Sequence, residues 1–539
     1  MHQEKLHQIP IIELFGDIEE NFYQLGLKDR ENGKKVHQSI KKMLSTPYRL
    51  ANQAIEELGK HYIKRNLNKK YNKYGHLKAY AEGLSTPLEE VLYTVLMPEM
   101  ISSMSKWKIG LKPKILGCSS FFMLNENNSP IHGRILDFPL SPHYDEYERA
   151  IHYQLNGMPN TFAFNSAGIP YPSITLFTDE GMSVAIHQKF TDIFVNEGES
   201  IFEIVFELIK NAGDKKSAID FLKSKKSITT WSLYMGFKNG EVLAYDIMGN
   251  ENFYNEFQLE NNQILYFGNY LENKNLNKKN YEPWGFYDYN DQRKISAEYK
   301  IKDFLQKKHK KDIDEKLLKM MSTPKSHQSI DTLTAFSLTS VVMNPTEKKC
   351  SLINGIAPKV YQGQIQKIES VFNDPNSKSY VDNKYHGQNK EYFLGLKALN
   401  NAQNSFDQKD AIAIYHQLQM AITHLEGKPE QYIAEFYFFV AQYIFENDKK
   451  ILAHLITDFT NIKERLPPHL KEQCVLFITR LEYILNLPGH GALNEITNTN
   501  LKELLEYELK IPASIFHFTT KSFIVPRIDI LDVIYVNKP

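Results

Sequence analysis

The 539-residue chain holds only three cysteines, Cys118, Cys350 and Cys474. They are too few and too scattered for a disulfide framework or a cysteine-based zinc site. At most one disulfide can form, so cysteine usage leaves the compartment open. A charge excess of either sign is also missing, since Lys+Arg and Asp+Glu both total 64. That balance argues against nucleic acid as a partner, because a general nucleic-acid binder carries a basic excess on some face. The one basic stretch, Gln306 to Asp312, reads as solvated helix surface. No run approaches the roughly 18 apolar residues of a membrane helix, so no transmembrane segment is expected. The first twenty residues lack the basic and apolar regions of a signal peptide, so the chain as given is expected to be soluble and unexported.

What is present is an ordinary globular composition, with 42% hydrophobic and 12% aromatic residues, at a length that suits two to four domains. Residues 1 to about 110 read mainly as helix. In one clear case Leu88, Val91, Leu92, Val95 and Leu96 share a face, with Pro87 near the start and Ser85 or Thr86 as the cap. From about 114 to 365 the texture changes to short apolar runs between turn signals. Ser232–Phe237 and Glu241–Asp246 flank Lys238-Asn239-Gly240, a hairpin signal. Helical stretches at 200–210 and 217–223 lie between the strand pairs, giving an α+β layered domain. After about 385 the period is helical again, with helices at 431–446, 449–464 and 468–486. Gly427 stops one helix and Pro429 starts the next. The spacing suggests stacked helical hairpins without a nameable repeat, a form that often builds concave protein-binding surfaces. Ile515–Phe518 and Ser522–Val525 are read as returning strands or extended arms.

Cys118 follows a glycine and opens the run Cys118-Ser-Ser-Phe-Phe122. A turn over Asn125–Ser129 and the run Ile131-His-Gly-Arg-Ile-Leu-Asp-Phe138 come next. A lone cysteine is most often a buried structural thiol. A thiol nucleophile needs a base or a lowered pKa, and a distant histidine could in principle serve one of the eighteen-histidine set. None sits in a recognisable local signature, and His132 reads as a packing or hydrogen-bonding residue.

The motif Cys118-Ser-Ser with His132-Gly-Arg-Ile-Leu-Asp-Phe138 at this spacing resembles the opening hairpin of cysteine N-terminal nucleophile hydrolases. The relevant group contains acid ceramidase, N-acylethanolamine amidase, bile-salt (choloylglycine) hydrolase and penicillin acyltransferase. The resemblance is strongest over 115–138 and continues weakly to about 360. It implies an αββα sandwich at 118–365, a helical propeptide-like segment at 1–117 and an added helical domain at 385–539. It also implies self-cleavage between Gly117 and Cys118, after which the new α-amine, with a reference pKa of about 7.7–8.0, serves as base.

By the same resemblance Arg134 supports charge near the thiol, Asp137 orients the α-amine, Asn269 donates to the oxyanion, and Arg293 matches a downstream arginine. Phe121, Phe122, Phe138 and Gln188 are the pocket candidates. Where ceramidase-like members carry Asn-Glu-Arg, this chain has His187-Gln188-Lys189, which removes a carboxylate. Residues three apart on a regular strand face opposite ways, so one shared site for Arg134 and Asp137 requires an irregularity, expected at Gly133. The implied activity is hydrolysis or acyl transfer on a linear, non-peptide N-acyl amide, a small-molecule substrate, with no metal or organic cofactor. The alternative is an inactive relative that binds a protein partner through its C-terminal helices.

Overall fold

The computed structural model describes residues 8–42, 49–64, 75–104, 117–138, 140, 143–189, 191–272, 289–324, 331–334, 336–383, 390–407, 410–466, 468–488, 490–497 and 499–521. Two sheets form its centre. One has the order β1 (Ile11–Gly16), β4 (Glu148–Leu155), β5 (Thr161–Ser166), β6 (Thr175–Thr178), β7 (Met182–Gln188), β8 (Thr230–Phe237), β9 (Glu241–Met248), β10 (Glu251–Gln258). The other has the order β11 (Leu265–Phe267), β2 (Gly117–Leu124), β3 (Pro130–Asp137), β12 (Ser337–Asn344), β13 (Lys349–Leu352), β14 (Gln364–Ile368), β15 (Ser379–Asn383).

The sheets stack through β2, β3, β7 and β8. Ser120 Oγ lies 2.9 Å from His187 Nε2 and His132 Nδ1 lies 3.1 Å from Ser183 Oγ. Helices Ile201–Asn211 and Lys215–Lys223 pack outside the first sheet, and Tyr289–Gln306 and Ile313–Ser322 outside the second. The result is an α+β protein with four layers in the order αββα. A strand covered on both faces has no solvent side, so β3 and nearly all of β2 are buried and read as apolar runs. Most of their polar interruptions, Cys118, Ser119, Ser120, Arg134 and Asp137, gather at one end, while His132 lies farther along opposite Phe122.

The turn signals act locally as their chemistry requires. Asn125 Oδ1 accepts from the backbone of Asn127 (3.0 Å) and Ser129 (2.9 Å), closing the β2–β3 turn. In the β8–β9 hairpin only Gly240 takes a positive φ (+82°), the left-handed residue that ends a three-residue loop. The helix at Leu88–Val95 is capped by Pro87 without a side-chain bond, whereas a Ser85 or Thr86 cap was expected. Ser85 is unsuited because it sits at φ +55°. The basic stretch after Gln306 lies in a loop between two helices instead of on a helix surface.

The N-terminal segment is more than helical. β1 lies parallel to β4, Ile11 opposite Ala150 through Gly16 opposite Leu155. Buried polar ties reinforce that pairing. The Asp29 carboxylate accepts from Arg149 Nη1 (2.5 Å) and Nη2 (2.8 Å), from the Tyr80 hydroxyl (2.6 Å) and from Gly168 N (2.9 Å). On the helix Met97–Met104, buried Glu99 accepts from Ile201 N at 3.1 Å, Trp231 Nε1 at 2.9 Å and the Thr229 hydroxyl.

C-terminal helices Lys390–Asp407, Ala411–His424, Pro429–Phe445, Lys449–Lys463 and Pro468–Ile484 pack each against the next. Gly427 (φ +71°) separates two of them, and Pro429 occupies the first turn of the next. Residues 515–518, expected as extended chain, belong to the helix Ala513–Thr519, where Phe516 packs against Tyr483. Ser522–Val525 lie outside the described residues. No helix among the described residues is long and apolar enough to cross a membrane.

Candidate active site

The period of two along β2 and β3 decides where each side chain goes. The pairing is regular: Gly117 faces Asp137, Cys118 faces Leu136, Ser119 faces Ile135 and Ser120 faces Arg134. Directly opposed residues share a face. Cys118, Ser120, Phe122, Arg134 and His132 therefore point between the sheets. Ser119, Phe121, Gly133 and Asp137 point toward the outer helices.

On the inter-sheet face Arg134 Nη2 donates to Cys118 Sγ (3.0 Å) and to the Ile186 carbonyl (2.8 Å). Its Nε and Nη1 are buried without a partner. Burial pushes the Cys118 thiol up, and the nearby Arg134 and Arg293 guanidiniums work against that rise. The thiol is thus kept protonated beside a cation that would favour its thiolate. His132 and His187 are both held well below the usual imidazole range, chiefly by burial, so neither is a cation here.

On the helix side Arg293 Nη2 donates to Asp137 Oδ2 (2.9 Å) and to Ser119 Oγ (2.9 Å). Ser337 Oγ donates to Asp137 Oδ1 (2.5 Å). Burial pushes the Asp137 carboxyl up, with Arg293 opposing it most. The two faces meet at the Cys118 main-chain nitrogen, which donates to Asn269 Oδ1 at 2.8 Å. Arg293 Nη1 donates to the same Oδ1 (3.3 Å), and Asn269 Nδ2 donates to the Gln188 carbonyl (2.9 Å).

Arg134, Asp137, Asn269 and Arg293 are therefore all brought around Cys118, but by a different geometry from the one expected. No irregularity occurs at Gly133, and the β2–β3 register runs unbroken. The shift lies across the sheet, between Ser337 and Thr339 of β12 opposite the end of β3. Arg134 and Asp137 keep opposite faces, the one near the sulfur and the other linked through Arg293 and Asn269 to the nitrogen. Gly133 answers to packing instead, because a Cβ there would lie 2.4 Å from Met321 Sδ.

A largely apolar cavity opens on Cys118. Its volume is about 680 Å³ counted with its open mouth, and its walls include Leu136, Phe138, Ile186, Gln188, Val95 and Trp231. Two pocket candidates, Phe138 and Gln188, line it; Phe121 and Phe122 do not. Phe121 points to the helix layer and packs on Tyr266. Phe122 stacks on His132, four residues and about 13 Å along the strand from Cys118. The amide orientation of Gln188 follows from its Nε2 donating to the Pro98 carbonyl (2.6 Å), while its Oε1 is buried without a partner.

Sequence reasoning passed over Ser119, Ser337 and Lys189, which complete the surroundings of the site. Lys189 enters that reading only as part of His187-Gln188-Lys189, and its place close after the run Met182–Ile186 was the usable signal for it. Ser119 belongs to the Cys118-Ser-Ser motif without being given a role there, and Ser337 had no signal. Among the described residues no group of His, Cys, Asp and Glu is arranged to hold a metal ion.

No protein-family model and no curated protein matches the sequence. Solved structures similar to it include a Caenorhabditis elegans N-acylethanolamine-hydrolyzing acid amidase ortholog, 19% identical, with 42% of this chain and 93% of that chain covered and a TM-score of 0.30. A mutant conjugated bile acid hydrolase from Clostridium perfringens is 14% identical, with 50% and 98% covered and a TM-score of 0.33. Penicillin V acylase from Agrobacterium tumefaciens is 11% identical, with 50% and 98% covered and a TM-score of 0.31. These are members of the N-terminal nucleophile hydrolases, and at such identities and TM-scores the similarity assigns this chain neither family nor activity. The geometry of the site stands independently of it.

Proposed function

We propose that the protein is a self-processing amidohydrolase or acyltransferase that uses Cys118 as an N-terminal nucleophile on a linear N-acyl amide. One observation carries this reading. The Cys118 sulfur and nitrogen are addressed separately, the sulfur by Arg134 and the nitrogen by Asn269, at the floor of an apolar cavity.

In the processing step the thiol attacks the Gly117 carbonyl. The carbon–nitrogen bond breaks as the thioester forms, and the departing nitrogen takes the proton. Water then hydrolyses the thioester, leaving the Gly117 carboxylate and a free Cys118 thiol and amine. In turnover the amine accepts the thiol proton, the sulfur attacks the substrate carbonyl, and the same proton goes to the leaving amine. Water or a second amine takes the acyl group. The unpartnered donors of Arg134 fit the developing negative charge. Asn269 Nδ2 carries a second hydrogen besides the one on the Gln188 carbonyl, so it can donate to an oxyanion while its Oδ1 accepts from the Cys118 nitrogen. Residues 1–117 are the processed segment in this reading. Its strand β1 and the Asp29–Arg149 pair would keep it bound after the cut.

Intact mass and N-terminal sequencing test the mechanism. Purified protein converts into one fragment ending at Gly117 and one beginning at Cys118, the two co-elute, and Cys118→Ala stays a single chain without amidase activity. Full activity on N-acyl amides from an uncut chain sinks it.

A second reading, a protein-binding role for residues 385–539, is favoured by apolar side chains left in solvent there. Ile412 is 83% exposed and Phe518 65%. Loss of a partner with retained amidase activity on truncation at 385 supports it.

A further inference from the structure

Three consecutive residues at the end of β7 grip three consecutive residues after β11. His187 Nδ1 donates to the Gly268 carbonyl (3.0 Å), and the Gln188 carbonyl accepts from Asn269 Nδ2 (2.9 Å). Lys189 Nζ, fully buried, donates to the Gly268 carbonyl (2.9 Å) and the Tyr270 carbonyl, and also to the Tyr234 hydroxyl (3.0 Å). The carbonyls on either side of Asn269 are thus tied to one ammonium, while Asn269 itself holds the Cys118 nitrogen. Burying an ammonium is costly unless acceptors surround it, so this lysine is placed at a convergence of carbonyls for a reason other than packing.

We propose that Lys189 is a positioning residue of the Cys118 site, holding Gly268–Tyr270 so that Asn269 Oδ1 stays on the Cys118 nitrogen. Only the kinetic readout of this proposal rests on the amidohydrolase reading. The charged and titratable groups facing Lys189 are Tyr234 of β8, Asp246 of β9, Glu272, Cys118 of β2, Arg134 of β3 and His187 of its own strand. Burial pulls the Lys189 ammonium down to about 8, with Asp246 and Glu272 opposing. Its charge therefore fades within an accessible pH range, which that of an arginine at the same place would not do.

Hydrogen–deuterium exchange over residues 265–271 and steady-state kinetics, run from pH 7 to 9.5 on wild type, Lys189→Met and Lys189→Arg, test this. Lys189→Met should exchange 265–271 about tenfold faster at pH 7 while 241–248 stays unchanged. Its kcat should fall about tenfold or more with KM within about twofold, the pattern of a lost alignment. Wild type should drift the same way above about pH 8, and Lys189→Arg should restore protection and flatten the drift. The folded pKa lies below the ordinary 10.5, so this residue's own contribution to stability rises between about pH 8 and 10.5. A loss of rate there without a fall in thermal midpoint thus separates positioning from unfolding. If Lys189→Met does not fold, the wild-type pH series and Lys189→Arg decide alone. Unchanged exchange in Lys189→Met, or a wild-type drift that Lys189→Arg leaves in place, overturns the proposal whether or not any amide is turned over. If exchange follows the expectation but wild type never cuts itself and hydrolyses no amide, the functional reading fails and the positioning of Asn269 stands.

Discussion

The two faces of the β2–β3 hairpin are built on opposite electrostatic plans. On the helix side every charge is matched: Asp137 against Arg293, with Ser119, Ser337 and Asn269 taking further bonds. Between the sheets one guanidinium reaches the thiol with two of its nitrogens unpartnered, and the nearby imidazoles are neutral. A closed network holds shape, whereas an open cation can meet charge that develops later. The same eight-residue strand therefore carries a closed network on one side and a thiol beside an open cation on the other. Neighbouring residues divide those tasks because the side chains alternate.

Substitutions on the two faces should separate stability from chemistry. The largest effect is expected from Asp137→Asn, which leaves the Arg293 charge buried and uncompensated. About 3–5 kcal/mol of stability should be lost, read as a fall in the denaturant midpoint. Arg134→Met should instead lower the rate about 10²–10³-fold through lost charge stabilisation, with a smaller change in the denaturant midpoint than Asp137→Asn produces. If Arg134→Met destabilises as much as Asp137→Asn, the division between the faces is wrong. The smallest effect is expected from Gly133→Ala, whose new methyl meets the Met321 sulfur on the helix side. Overpacking there should cost about 1–3 kcal/mol and leave kcat near wild type, because Met321 is flexible and the thiol lies on the other face. Equilibrium unfolding beside single-turnover kinetics on each variant provides the comparison.

Much of this was legible in the sequence where the signals are local. The Asn125–Ser129 turn, the Gly240 hairpin, the helices near 429–445 and 449–463 and the burial of β2 follow from neighbouring residues and their period. Parity along β3 also foretold that Arg134 and Asp137 face apart. The repair sought at Gly133 was unnecessary because Arg134 lies on the Cys118 sulfur while Asp137 is linked through Arg293 and Asn269 to its nitrogen. The pocket candidates divided for a related reason: Phe138 and Gln188 lie near the thiol in space, while Phe122 lies too far along the strand and Phe121 faces the wrong layer.

By itself the sequence determined the α+β texture, the order of the elements and the position of the cysteine at the start of a buried strand. These depend on side-chain period, turn chemistry and spacing, all encoded within a few residues. Only the tertiary structure decided that β1 joins the first sheet, that Asn269 and Arg293 arrive from more than 150 residues away, and that Lys189 donates to the Gly268 and Tyr270 carbonyls on either side of Asn269. Such pairings depend on which layers stack, and a stacked layer leaves no period in the chain that it covers.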